Sequence, residues 1–265
     1  MVTDAESLLA WKGAAVLAWL VVFFLAERWR PAARPRTIEA SLDGAVAGGW
    51  HRLARNLGLW LAVSALSPLI VLPLTYWASG QALGWRPEWW GGGLGLAFDI
   101  LLLDGLIYWW HQANHRIAFL WRFHEVHHLD RFLDTTSALR FHFGEVLLSA
   151  LARAGIILLL GFPFTSVLVF ETLVICAAVF HHSNVKLPAR LERRLSRVVI
   201  TPSIHWVHHH ALRADTDSNY GTIFSFWDPL FGTRSPRQRD PQMIIGTEGR
   251  DEEGLVSLFL RPFRR

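Results

Sequence analysis

Long apolar runs separated by short basic or turn-rich stretches organise the chain, and their lengths predict membrane helices. Residues Leu8 to Ala26 are long and apolar enough to cross a hydrocarbon layer of about 30 Å, and the basic, proline-broken stretch Glu27 to Arg36 follows as an exit. A second run extends from Leu53 to Trp77 and a third from Leu94 to Trp110. Between them, Gly80 to Gly93 combines turn residues with Trp85, Trp89 and Trp90, side chains that favour a membrane interface. Two further runs, Val146 to Leu160 and Phe164 to Phe180, flank Gly161-Phe162-Pro163 and predict a hairpin that either crosses the membrane or enters it and returns. The expected fold is an all-α integral membrane bundle of four or five spanning or re-entrant helices, a single membrane domain over residues 1–265 without repeats. Its end, residues 236–265, closes on Gly254 to Arg265, an interfacial segment too short to span.

Composition strengthens that reading: 52% of the 265 residues are hydrophobic and 14 are Trp. The formal charge of +4 does not point to nucleic acid, because Lys and Arg gather at the ends of apolar segments, where anionic lipid headgroups meet them. The positive-inside rule assigns Arg28 to Arg55 to the cytoplasm and the N-terminus to the outside. The first segment lacks a small-residue cleavage site and is expected to stay as an anchor, in a bacterial inner membrane. If the last hairpin also returns inward, residues 111–145 and 181–265 share the cytoplasmic side, and they hold every histidine except His51. Cys176, the single cysteine, excludes a disulfide framework, an iron–sulfur cluster and a thiolate zinc site.

Chemistry concentrates in three clusters: His111 with His115, His124 with His127 and His128, and His205 with His208 and His209, the last followed by His210. Histidines three or four apart project from one helix face, while adjacent ones diverge by about 100°, so a cluster with an adjacent pair more naturally serves two neighbouring metal ions than one. Imidazole suits zinc, copper, iron and nickel, and spacing alone does not choose. Asp104 lies two helical turns before His111 on the same face, where a carboxylate can take the second N–H of a metal-bound histidine. Asp99 and Asp104 are both carboxylates inside an apolar run, where they are costly and tend to be functional. Arg153 and Glu171 fall at similar depth in the last hairpin and are expected to pair, as a structural staple in the first reading and as a lipid-headgroup contact in the second.

In their order and with their flanks, these clusters resemble the fatty acid hydroxylase and sterol desaturase superfamily over about residues 95–235. The matching stretches are Asp104-Gly-Leu-Ile-Tyr-Trp-Trp-His111, Trp121-Arg-Phe-His-Glu-Val-His-His128, Ala138-Leu-Arg-Phe-His142, His182-Ser-Asn-Val-Lys-Leu-Pro188 and Thr201-Pro-Ser-Ile-His-Trp-Val-His-His209. Asp217-Ser-Asn-Tyr-Gly221 and Trp227-Asp-Pro-Leu-Phe-Gly-Thr233 complete the pattern and are also similar to alkylglycerol monooxygenases within the superfamily. Lys186 stands where certain fatty acid hydroxylases have a further histidine, a departure that argues against a 2-hydroxylase.

The resemblance implies metal ligands at His111, His115, His124, His127, His128, His142, His182, His205, His208 and His209, with Asp104 and Asn219 as candidates to support them. It further implies two non-haem iron ions, O2 as co-substrate, and a membrane lipid whose C–H bond is hydroxylated. Desaturation on the same centre is the enzymatic alternative; a metal transporter or a non-catalytic metal-binding protein is the alternative of another class. Trp109, Trp110 and Trp121 are candidate walls for the lipid tail. No flavin or cytochrome motif is present, so electrons are expected from an external reductase or small redox protein.

Overall fold

The five apolar runs become five long helices. A computed structural model of the chain describes residues 2–34 and 49–264; Met1, Pro35 and Arg36 of the basic exit, residues 37–48 and Arg265 lie outside the described residues. Helix α1 (Val2–Trp29) is followed by α2 (Trp50–Leu66), which passes through a π-turn, Ser67–Val71, straight into α3 (Leu72–Gly80). Next come α4 (Gly92–Arg116), α5 (Ala118–His128), α6 (Phe143–Leu160) and α7 (Phe164–His182). The short helices α8 (Ala189–Leu195), α9 (Pro202–His208), α10 (Arg213–Thr216), α11 (Trp227–Phe231) and α12 (Leu255–Leu260) complete the order. Among the described residues there is no strand, only isolated bridges.

Among the described residues, five segments have the length and apolar composition to cross a membrane: Leu9–Trp29, Trp50–Gly80, Gly92–Arg116, Phe143–Leu160 and Phe164–His182. The hairpin is therefore two full-length helices, since 18 residues rise about 27 Å. Gly161 ends α6 at φ 69°, and a Cβ there would come within 3.0 Å of Leu83 O, so the tight turn requires glycine. Large apolar side chains such as Leu17, Val22, Leu69, Leu94 and Leu159 face outward, as a lipid solvent demands. Between the helices, Ala78, Leu103, Ile157, Phe162, Val167 and Phe170 form a buried cluster.

Three features depart from the sequence reading. Pro68 lies inside the second run, where a missing N–H and a ring clash disrupt α-helical bonding, and the π-turn accommodates them without breaking the helix. Asp99 is tied off structurally: it pairs with Arg86 and accepts a 2.8 Å bond from Trp90 Nε1 at the α3–α4 connection. The C-terminal segment is only half interfacial. Leu258 is fully buried with Leu59, Val126 and Leu129, while Val256, Leu260 and Phe263 remain exposed.

One end of the bundle is capped by a polar layer of buried ion pairs and backbone-accepting carboxylates. Glu27 on α1 accepts the backbone N–H groups of Thr135 and Asn184 at 2.9 and 3.0 Å. Arg52 on α2 forks onto Asp130 at 2.6 and 2.8 Å and also reaches Asp134 at 2.8 Å, a bidentate geometry that suits a buried ion pair. Burial alone would raise the Asp130 carboxyl, but the guanidinium groups of Arg52 and Arg140 outweigh it and hold the carboxyl at about 2. The C-terminal ends of α1, α4 and α7 and the N-terminal ends of α2 and α6 meet at this layer, as the clustering of histidines in the sequence anticipates.

Candidate metal centre

Helix α4 runs two turns past Trp110, so His111 and His115 occupy its final turns; α5 then presents His124, His127 and His128, α7 ends on His182, and α9 with its C-cap carries His205, His208 and His209. Among the described residues these nine histidines form two groups. His111, His115, His124, His128 and His208 make one, and His127, His182, His205 and His209 the other, with candidate ligand atoms in each group within 4.8 Å of one another. The adjacent pairs divide between groups, as their divergence on a helix predicts. His128 and His209, one from each group, stack 4.3 Å apart, so the groups are immediate neighbours.

Five of the nine histidines anchor the remote ring nitrogen to an acceptor. Nδ1–H donates from His111 to Tyr220 O at 2.8 Å, from His127 to Arg140 O at 3.0 Å, from His182 to Ala178 O at 2.8 Å and from His208 to Ser218 O at 2.6 Å. His124 Nδ1 donates to Glu145 Oε1 at 2.7 Å. Carbonyl and carboxylate oxygens only accept, so these bonds set the tautomer and leave each Nε2 with a free lone pair.

Those lone pairs then face one another. His127 Nε2 and His182 Nε2 are 3.0 Å apart, His182 and His205 3.0 Å, His205 and His209 3.1 Å, and His124 and His128 3.2 Å. For His127 and His182 both Nδ1 protons are committed elsewhere, so two lone pairs point at each other, an arrangement that is repulsive unless a cation lies between them. Protonation is opposed: burial, then the neighbouring imidazoles, pushes His127, His128, His205 and His209 well below the usual histidine range, and burial takes His208 to about 3. Two imidazoles at about 2.1 Å from one ion and at right angles have nitrogens about 3.0 Å apart, the separation seen. His208 Nε2, buried with no hydrogen-bond partner among the described residues, also suits a metal bond. The residues fit two metal ions held by neutral imidazoles.

The structure does not bring His142 into either group. It caps α6, accepting Gly144 N–H at Nδ1 while Nε2 donates to Phe259 O at 3.0 Å, so both nitrogens are spent on backbone. His181 packs against His205 at 4.0 Å outside both groups, and His210 bonds Asp215 at 2.7 Å. Asp104 does not reach a histidine: its carboxylate accepts Ile223 N, Phe224 N and Trp227 Nε1 at 3.1, 3.0 and 2.9 Å. It thus pins the loop whose Tyr220 carbonyl receives His111. Asp228 closes the same loop by accepting Tyr220 N and Gly221 N at 2.7 and 3.0 Å, and a Cβ on Gly221 would meet Phe224 O at 2.9 Å. Asn219 adopts φ 54° and bonds Ile204 O and Ser235 N, shaping the turn between Ser218 O and Tyr220 O without touching a ring.

Sequence reasoning missed Glu145 and Arg140. Glu145 sits in the first turn of an otherwise apolar helix, a position that places it at the histidine face and was readable. Arg140, fully buried, donates to Val126 O, Asn56 Oδ1 and Glu252 Oε1 and thereby fixes the carbonyl that holds His127.

A cavity of about 300 Å³ opens beneath the groups, with His111, His124, His127 and His182 at one end and mainly apolar walls that include Trp110, Val146 and Phe170. Of the three tryptophans expected as walls, only Trp110 lines it. Trp109 packs on Phe231 at 4.7 Å, and Trp121 lies against His115 at 5.0 Å.

A family model described as fatty acid hydroxylase matches residues 96–233, 138 of the chain's 265 residues. The chain is 26% identical over 217 residues to ornithine lipid hydroxylase OlsE of Rhizobium tropici, covering 81% of this chain and 65% of that protein. It is 32% identical over 148 residues to alkylglycerol monooxygenase of Danio rerio, covering 56% of this chain and 30% of that protein. A cholesterol 25-hydroxylase-like protein of Danio rerio is 31% identical over 193 residues, 69% of this chain and 71% of its own length. The chain thus spans less than two thirds of the first two of these relatives. No solved structure matches it. With the family model covering more than half of the chain and enclosing all nine grouped histidines, the protein belongs to the fatty acid hydroxylase family.

Proposed function

We propose that the protein is an oxygen-dependent membrane lipid hydroxylase whose nine grouped histidines hold two iron ions. The observation that carries this reading is the pair of adjacent imidazole groups, lone pairs inward, opening on an apolar cavity within the spanning helices. The names of the relatives, which hydroxylate or oxygenate lipids, support the reaction class. When bound, such an iron pair supplies reductive activation of O2 and insertion of one oxygen atom into a C–H bond.

The chain's own residues do the rest. His111, His115, His124, His128 and His208 hold one ion and His127, His182, His205 and His209 the other, while Glu145 and the carbonyls of Tyr220, Arg140, Ala178 and Ser218 keep the protons of His124, His111, His127, His182 and His208 on Nδ1. Apolar walls admit a lipid chain and exclude water from the reacting carbon. Electrons come from an external donor, and the positive-inside rule, applied to Arg28, Arg30, Arg52 and Arg55 beside the capped end, supports a cytoplasmic side for it.

The test is anaerobic purification, metal analysis, reduction and exposure to O2 with a lipid extract of the host, read by mass spectrometry. Two irons per chain and the gain of one oxygen atom by a lipid are expected. Loss of two hydrogens instead would make it a desaturase, and unchanged lipids at full iron occupancy would end the oxygenase reading.

A further inference from the structure

The expected pair of Arg153 on α6 and Glu171 on α7 forms, at 3.1 Å, but it is not alone: Lys12 on α1 reaches the other Glu171 oxygen at 2.7 Å. Two cations then share one carboxylate inside the spanning helices, an excess positive charge that a simple neutral staple would not need and that is expensive among apolar groups. Arg153 Nε is also buried with no hydrogen-bond partner among the described residues, so a donor here lacks its acceptor. All three side chains line the same cavity as His111, His124 and His182. Arg153 lies eight residues along α6 from Glu145, the partner of His124, and Glu171 lies ten residues along α7 from His181, separations of about 12 and 15 Å.

We propose that Lys12, Arg153 and Glu171 form a recognition subsite for a carboxylate borne on the apolar chain of the lipid substrate. The anion supplies the missing acceptor to Arg153 Nε and balances the charge. Its distance from the histidines sets which carbon is presented for oxidation, about 12–15 Å from the anion. This deepens the hydroxylase reading and rests on it for the meaning of that spacing, whereas the binding itself does not require turnover.

The test uses the full-length protein in phosphatidylcholine nanodiscs and a long-chain fatty acid carrying a photoreactive diazirine at its methyl end, with its methyl ester as control. The labelled peptides are mapped by mass spectrometry without reductant or turnover, so an inactive protein still answers. The wild type should be labelled by the acid around Trp110 and Val146, at the histidine end, and inorganic phosphate should not protect. Arg153→Met, which leaves a neutral Lys12–Glu171 pair, should lower that labelling at least tenfold, and the ester should label both proteins alike. Glu171→Gln, which removes the competing carboxylate, should raise labelling by the acid about threefold, the opposite of what loss of a mere staple produces. Wild-type label concentrated beside Arg153 and Ile175, equal labelling by acid and ester, or full protection by phosphate alone would overturn the proposal.

Discussion

The five-histidine group takes four of its members from two local pairs, His111 with His115 on α4 and His124 with His128 on α5, each four residues apart on one helix. The four-histidine group has only one such pair, His205 with His209, and must recruit His127 from α5 and His182 from α7 across the bundle. Much of the first site is therefore prefigured by secondary structure, whereas the second exists only when α5, α7 and α9 have packed. Locally built sites tolerate the loss of one ligand better, because the survivors remain positioned by their own helices; a site assembled between helices has no such reserve.

Acid should erase both groups and gives the largest effect. Histidines of both, His127, His128, His205, His208 and His209, are held below the free value of 6.5 in the fold. The unfolded chain takes up protons first as pH falls, so stability is full above about pH 6.5 and declines toward about 3, the His208 value. The slope is up to about 1.4 kcal/mol per pH unit for each histidine. Thermal unfolding of the iron-free protein across that range measures it, and a midpoint independent of pH between 7 and 4 would contradict it.

Ligand removal separates the groups. His182→Ala should reduce iron from two ions to one per chain and activity by more than about a hundredfold, beyond the usual loss from an outer partner. His115→Ala should leave four imidazoles and a retained, weakened ion. Equal metal loss in both, by elemental analysis, would remove the distinction drawn here. A smaller change tests the first group alone: Glu145→Gln keeps an acceptor for His124 Nδ1 but removes its charge, and should weaken one metal about 10–100-fold in chelator competition while sparing the other. Smallest is Asp104→Asn, which leaves one donor of the 223–227 loop without an acceptor. It should cost about 1–3 kcal/mol in thermal or denaturant unfolding and disturb only the ion that His111 serves.

The same contrast explains what was legible in the chain. Apolar run length announces the five crossings, because the bilayer imposes one length on every helix. Histidine spacing announces the clusters, and the divergence of His127 from His128 and of His208 from His209 announces two sites. Hidden from it were the acceptors behind the rings: Tyr220, Arg140, Ala178 and Ser218 act through carbonyl oxygens that any residue possesses, so side-chain identity carries no sign of them. The partners of Asp104 are equally hidden, since helical phase gives its face but not the loop that folds onto that face. His142 matched a family stretch, yet its position one residue before α6 makes it a helix cap.

The second crossing is longer than its task. Its 31 residues rise about 46 Å, while the hydrocarbon needs about 30 Å, so roughly three turns must stand clear or tilt. Arg52 and Asn56, in its opening turns, are buried against Asp130 and Thr136, which identifies the surplus as a pillar rising out of the lipid. The height of that pillar acts as a gauge block between the apolar span and the histidine layer, so trimming one turn of α2 would draw the Arg52–Asp130 anchor, and the α5 histidines beside it, toward the lipid.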